Sequence, residues 1–439
     1  MSEVSVSKAP STKEFWESSE LLRMVKRVAD KTRKSGYAIL GWLMVDVLTR
    51  ISYQTHYESE VGKASLNMLF LMSAPTGGGK SAARKVAKEH FEFEGVGWSS
   101  PEPIQAGSGE AIADSYYFRF EILEGDDKGK WKEDWINPNH CRVFYNDEIS
   151  YHKGKANQNS STLEATYLSM YSGDLLGRTL AGGKGKEVPA GQYRAVAVFN
   201  AQPENDPFRS DSSKASGMPS RLLNLNAVNP NARADYAAVA HVELPSTPFK
   251  IPRLGGPGDR MIPQYRALTE MDEAHAEEDF LASEGMREHG RSHTLLTRAK
   301  VACLLAALEG REYLMQEDWR LSEHLIEHSN SVDDSIQRTI LKATRSEAGK
   351  AGAILGLKMG AADETKEQYA IERVAKNIRK WAPQVGYDLK KLPSDLGNVQ
   401  ALGDLNLKIS PRDRKAYMET AIALIYNELN RVQKEGNNE

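Results

Sequence analysis

The stretch from Leu69 to Ser81 constrains this chain more than any other. Leu69-Phe70-Leu71-Met72 is an apolar run of strand length that stops at Ser73. Ala74, Pro75, Thr76, Gly77, Gly78 and Gly79 follow as a small-residue turn, and Lys80-Ser81 opens a helical segment through Ala82, Ala83, Arg84 and Val86. Strand, glycine-rich turn, Lys-Ser and helix form a phosphate-binding loop in the context its chemistry requires. Glycines let backbone N–H groups turn inward around an anion, and the helix behind them adds roughly half a positive charge. Lys80 would reach the β- and γ-phosphates, and the Ser81 hydroxyl would ligate Mg²⁺. Residues Ala74 through Ala82 are therefore the predicted cradle for a nucleoside triphosphate, ATP with Mg²⁺.

At 439 residues the chain has room for two or three domains. A net charge of −3 offers no global attraction to nucleic acid, so any such binding must come from a local patch. The two cysteines, Cys141 and Cys303, read as small buried hydrophobes in a reducing compartment. The longest apolar run, Tyr37 to Leu48, is too short to span a bilayer and contains Asp46. A cytoplasmic protein with no membrane partner is expected.

Helical spacing of Phe15, Leu21, Leu22, Met24, Val25 and Val28 predicts a helix from Lys13 to about Arg33, and a second follows from Tyr37 to Tyr53. Together they make a helical N-terminal unit over residues 1–60. Ser108 is a plausible N-cap for a helix Ala111 to Phe120. The charged, Trp-dotted segment Glu124 to Asn139 reads as a solvated excursion, and Ser161 to Tyr171 as a helix. Leu175 to Leu180 and Glu187 to Ala190 read as a β-hairpin whose Gly-Lys tip carries Lys184 and Lys186. Asp206 to Pro219 reads as a loose loop. The Pro/Gly stretch Leu244 to Pro263 is the expected boundary between a core at 61–245 and a helical lid at 264–345. The lid pairs helices Thr294 to Glu309 and Gln316 to Ser329. After a Gly/Ala-rich linker at 349–360, helices in 361–439 are compatible with a winged-helix module, although no wing strands are evident.

Arg142 to Asn146 predicts a second core strand that ends in Asp147-Glu148. Phosphoryl transfer needs a metal, a positioned water and positive charge where the γ-phosphate becomes more anionic. Asp147 would hold Mg²⁺ through water, and Glu148 would orient and deprotonate the attacking water; the competing reading is a surface Asp-Glu pair. Tyr193 to Phe199 is a further strand, and Asn200 at its end competes with Gln202 to bond the lytic water or γ-phosphate. Arg221, in Ser220-Arg221-Leu222, is better placed to enter a neighbouring subunit's site than its own, with a surface salt bridge as the alternative. Arg298 on the inner lid helix is a candidate second arginine sensor, with Arg291 as competitor and a plain surface cation as the bland alternative. Lys184 and Lys186, pointed into a ring, would track a phosphate backbone; otherwise their turn is merely solvated.

The order phosphate loop, Asp-Glu strand, hairpin, polar strand end, Ser-Arg and helical lid resembles the AAA+ ATPases. The hairpin before Asn200 and the Ser-Arg-Leu pattern look like the minichromosome-maintenance and superfamily-three helicases. Residues Tyr37 to Ser329 resemble more closely the helicase-like ATPases of phages, plasmids and genomic islands, which often accompany a primase-polymerase domain. The resemblance implies an α/β P-loop NTPase core with an AAA+-like parallel sheet. It further implies a homo-oligomeric ring, expected as a hexamer, that hydrolyses ATP and moves on single-stranded or forked DNA. With no room for a primase ahead of Tyr37, priming would come from a separate primase or replication initiator. The rival expectation is a non-translocating AAA+ switch, a helicase loader or defence-system assembly factor, that acts on a protein partner.

Overall fold

The computed structural model describes residues 9–94, 102–135, 141–147, 160–177, 186–229, 242–254, 264–284, 293–385, 388–392 and 418–429. Three helices come first: α1 (Thr12–Glu17), α2 (Glu20–Thr32) and α3 (Gly36–Arg50). The expected first helix is split because Ser19 leaves the helical conformation to cap α2, its hydroxyl accepting from the Leu22 N–H at 3.2 Å. Strands β1 (His56–Ser59), β2 (Gly62–Ser65) and β3 (Met68–Ser73) follow, then α4 (Lys80–His90) and β4 (Phe91–Phe93).

Next come α5 (Gly109–Asp114), β5 (Tyr117–Glu121), β6 (Trp131–Trp135) and β7 (Cys141–Asn146). The expected helix to Phe120 therefore stops at Asp114, and part of the expected solvated excursion is a strand. β5 and β6 pair antiparallel, Tyr117 opposite Trp135 and Glu121 opposite Trp131. Aromatic residues in that hairpin favour strand pairing over the helical reading. The chain continues with α6 (Ser160–Ser172), β8 (Leu176–Gly177), β9 (Glu187–Val188), β10 (Arg194–Ala201), α7 (Asp211–Ala215) and β11 (Leu222–Asn226). β8 and β9 pair antiparallel in the expected hairpin, Leu176 opposite Val188 and Gly177 opposite Glu187, and residues 178–185 lie outside the described residues. β12 (Phe249–Ile251), β13 (Gln264–Arg266), α8 (Thr269–Ser283), α9 (Thr294–Leu308) and α10 (Gln316–Trp381) follow, and residues 418–429 are also helical.

Four strands form the central sheet in the order β11-β3-β10-β7, all parallel, and Ile104 adds a parallel bridge to Phe144 on the outer edge. β3 and β10 are buried along their whole length, as parallel strands covered on both faces must be. Side-chain alternation sends Tyr145 toward Trp42 of α3, their rings 5.6 Å apart, and Phe199 toward Tyr167 of α6, 4.9 Å apart. α3 thus covers one face and α6 the other. Gly41 permits the close approach of α3, because a Cβ there would lie 2.4 Å from Leu225 Cδ1 and 2.8 Å from Met72 Cε.

Two buried cations tie surrounding elements to this sheet. Arg194, 1% exposed, donates to the carbonyls of Ser52 at 2.8 Å and Thr55 at 2.7 Å. Lys300 on α9 is fully buried and donates to the carbonyls of Asn67 at 2.9 Å and Tyr171 at 2.7 Å. Burial pushes the Lys300 ammonium well below the usual lysine range. The expected loose loop after Asp206 is also anchored. Arg209 is buried, donates to Asn224 Oδ1 at 2.8 Å and meets Asp333 at 2.5 Å.

Two compact units account for the chain, Met1–Lys342 and Ala343–Glu439. The Pro/Gly stretch expected to separate core from lid lies inside the first unit. There β12 pairs with β4, and β13 pairs with β1, both parallel. The Gly/Ala-rich stretch 349–360, expected as a linker, lies within the helix α10. In the second unit Val374, Ala375, Ile378 and Ala382 share an apolar cluster with Met418, Ala421, Ile422 and Ile425. No wing strands occur among its described residues. No helix among the described residues is long and apolar enough to cross a membrane.

Candidate nucleotide and metal site

Strand register brings the predicted groups to one edge. Asn200 pairs with Met72 across β10 and β3, and Phe199 pairs with Asn146 across β10 and β7. The next residue of β7 is Asp147, so Asp147, Asn200 and the start of the turn at Ala74 stand together at the C-terminal edge. The turn is pinned to β10 by the Ala74 N–H, which donates to Ala201 O at 3.1 Å. Open parallel sheets bind ligands at this edge, where the strand order reverses.

The turn has the conformation that the glycines predict. Gly77 and Gly79 have φ of 73° and 92°, a region costly for residues with a side chain, and Gly79 is the N-cap of α4. A Cβ on Gly78 would stand 2.6 Å from Ala74 Cβ and 2.9 Å from Pro75 O. Lys80 arches back over the turn, its Nζ donating to Ala74 O at 2.7 Å and Pro75 O at 3.3 Å.

Three donors converge on a single oxygen of Asp147. Tyr145 OH donates to Oδ1 at 2.8 Å, Ser81 Oγ at 3.0 Å and Asn200 Nδ2 at 3.0 Å. Asn200 Nδ2 also donates to Tyr145 OH at 2.7 Å. The bond from Tyr145, followed by those from Asn200 and Ser81, holds the Asp147 carboxyl below the usual carboxylate range against a partial desolvation. Burial pushes the Tyr145 phenol up to about 12, so it remains a donor at neutral pH. Tyr145 was missed by sequence reasoning. The available signal was its spacing, because residues two apart on a strand share a face, and Tyr145 stands two before Asp147.

These groups fit a nucleotide with its divalent ion. Ser81 would bind the ion directly and Asp147 would hold it through a water, which calls for a hydroxyl and a carboxylate side by side. Ser81 Oγ and Asp147 Oδ1 are 3.0 Å apart. The described residues contain no cluster of three metal-ligating side chains. Mg²⁺ at phosphates does not need one, since it keeps waters and phosphate oxygens beside one or two protein ligands. The Asn200 amide oxygen is buried and meets no donor among the described residues. Gln202, its competitor, instead accepts from Asn205 Nδ2 at 3.3 Å in the following turn.

The remaining predicted residues are placed as follows. Glu148, Lys184 and Arg291 lie outside the described residues. Arg221 folds onto its own loop, Nη1 donating to Gly217 O at 3.0 Å and Ser216 O at 3.2 Å, with Tyr171's ring 5.9 Å away. Burial lowers its pKa, and it forms no ion pair among the described residues. Arg298 is occupied within the lid: it pairs with Glu323 at 3.1 Å and lies 3.5 Å over the Trp319 ring. Lys186 sits at the base of its hairpin, not at the tip, and pairs with Glu133 at 2.7 Å and Asp114 at 3.4 Å. Hydrogen bonding to Glu133 raises its pKa, and its charge is answered by carboxylates.

No family model matches the chain, and a search of curated proteins finds no match.

Proposed function

We propose that this protein is an ATPase of the phosphate-loop class, built on an AAA+-like core. The observation that carries the reading is the convergence of Tyr145, Ser81 and Asn200 on one oxygen of Asp147, beside a glycine turn at a helix N-terminus. Backbone N–H groups of the turn and Lys80 would bind the phosphates, and Ser81 with Asp147 would hold Mg²⁺. Bound Mg²⁺ neutralises developing charge on the phosphates. Glu148, which follows Asp147 directly, is the proposed base for the attacking water, and Asn200 would hold that water or the γ-phosphate.

The finer proposal is a ring-forming DNA translocase of a phage or mobile-element replication system, with Arg221 entering the neighbour's site. Its support is the order of the motifs, together with an Arg221 guanidinium bonded to carbonyls and, among the described residues, to no carboxylate. A cation without an acidic partner is suited to meet an incoming phosphate. Lys186 favours the second reading, a protein-remodelling switch, because a lysine already paired with Glu133 and Asp114 has little charge to offer a phosphate backbone.

The test is ATP turnover by the full chain with and without single-stranded DNA, beside a mass determination with a slowly hydrolysed ATP analogue. Mg²⁺-dependent turnover that Lys80→Ala abolishes supports the ATPase; turnover equal in wild type and Lys80→Ala sinks it. DNA stimulation in a nucleotide-dependent ring supports the translocase, whereas a ring indifferent to DNA supports the switch.

A further inference from the structure

The turn between α2 and α3 approaches the phosphate loop. α2 ends on Arg33 in the left-handed region, φ 56°, where it is the only non-glycine residue with positive φ among those described. The reversal is locked by Arg33 N–H donating to Asp30 O at 3.2 Å and Lys34 N–H donating to Ala29 O at 3.0 Å. Ser35 caps α3 and donates to Asn226 O, and Asn229 Nδ2 donates to Lys34 O at 3.1 Å. The backbone on both sides of Lys34 is thereby held against the segment that follows β11.

This fixed turn delivers the Lys34 side chain to Gly79. The Lys34 Cδ lies 3.5 Å and its Nζ 3.8 Å from the point where a Cβ on Gly79 would stand. Gly79 is the N-cap of α4, where backbone N–H groups and the helix dipole favour an anion. No carboxylate lies within ion-pair distance of Lys34 among the described residues. A partly buried ammonium unmatched by an acid, laid on an anion-binding turn, repels the positive end of α4 unless an anion sits between them. Arg33 keeps a backbone conformation unfavourable for a residue with a side chain at the position that sets the turn.

We infer that Lys34 is a second cation of the nucleotide site, which binds the phosphate chain shared by nucleoside di- and triphosphates. It reaches the site from the N-terminal helices, separately from Lys80. The inference rests on the phosphate-loop reading above and adds to it a direct link between the helical unit and the ligand. Nucleotide would draw the α2–α3 turn and the end of β11 onto the loop, so occupancy would be felt by elements outside it.

The experiment is a titration of the full chain with the fluorescent N-methylanthraniloyl derivative of ADP, for wild type, Lys34→Gln, Lys34→Arg and Lys80→Ala. Lys34→Gln should weaken binding by about five- to tenfold at low salt, as expected for a partly exposed charge on phosphate. Lys34→Arg should bind within about twofold of wild type, since the cation is kept. The Lys34→Gln deficit should shrink as salt rises, and its urea midpoint without nucleotide should be no lower than that of wild type, since the unanswered repulsion at α4 is removed; a purely structural role would lower it. Binding lost in Lys80→Ala but unchanged in Lys34→Gln overturns this inference and leaves the ATPase reading standing. No binding by wild type overturns both.

Discussion

Asp147 is the residue on which the site turns, and its neighbours make two predictions. Tyr145→Phe keeps a ring against Trp42 and removes one of three donors to Oδ1. The carboxyl's pKa should then rise toward its ordinary value, because the bond that chiefly holds it down is gone. A carboxylate needed in its charged form fails below its pKa, so the acid limb of the pH–rate profile should move to higher pH. A limb that stays in place in Tyr145→Phe would show that the phenol does not tune Asp147. Asn200→Ala should lower turnover by about 100-fold while nucleotide binding is kept, the usual scale for one donor or acceptor at a developing charge. Equal loss of both in a binding titration would make Asn200 a structural residue instead.

At the scale of elements, the join between α3 and α10 carries a pH dependence. Tyr37 on α3 stacks on His328 of α10 with ring centroids 3.6 Å apart, and its hydroxyl meets His324 Nε2 at 2.9 Å. His328 Nε2 accepts from the Asn226 N–H at 3.3 Å, which requires that nitrogen unprotonated. Burial, with a smaller contribution from His324, pushes the His328 imidazole down to about 3. An unfolded histidine titrates near 6.5. Between those values the unfolded chain binds the proton and the folded chain does not, so stability is full above about pH 6.5 and is lost as pH falls toward 3. His328→Gln, which keeps an acceptor, should reduce the difference between urea midpoints at pH 7 and pH 5. An unchanged difference would place the acid sensitivity elsewhere.

At the scale of the molecule, the ring proposal makes Arg221 an intersubunit group. Arg221→Ala should bind nucleotide and fail to hydrolyse it, and Lys80→Ala should fail on its own account. Mixed in equal parts, the two inactive variants should recover activity at roughly a quarter of the sites, those in which an intact Lys80 faces an intact Arg221 across a heterologous contact. No recovery on mixing, with mixed assemblies shown to form, would assign Arg221 to its own chain, where it now bonds Gly217 and Ser216.

Local chemistry determined much of this protein before any tertiary contact is considered. The glycine turn, Lys80-Ser81 and the apolar β3 are contiguous, so their order alone specifies a strand, a tight glycine turn and a helix N-terminus. Asp147 and Asn200 were legible because an apolar run that ends in a polar residue marks a strand's edge. What pairing and packing added is not local. Aromatic residues of β5 and β6 form a hairpin where the segment alone suggested helix and solvent. Residues 349–360 are helical although their glycines suggested a linker. Arg298 and Lys186 read as available cations until Glu323, Glu133 and Asp114 arrived from distant positions. Tyr145 meets Asp147 through register, and Lys34 reaches Gly79 through a helix turn that has no phosphate-loop signature. Strand order and ion pairing depend on which distant segments meet, and one-dimensional spacing carries no record of that.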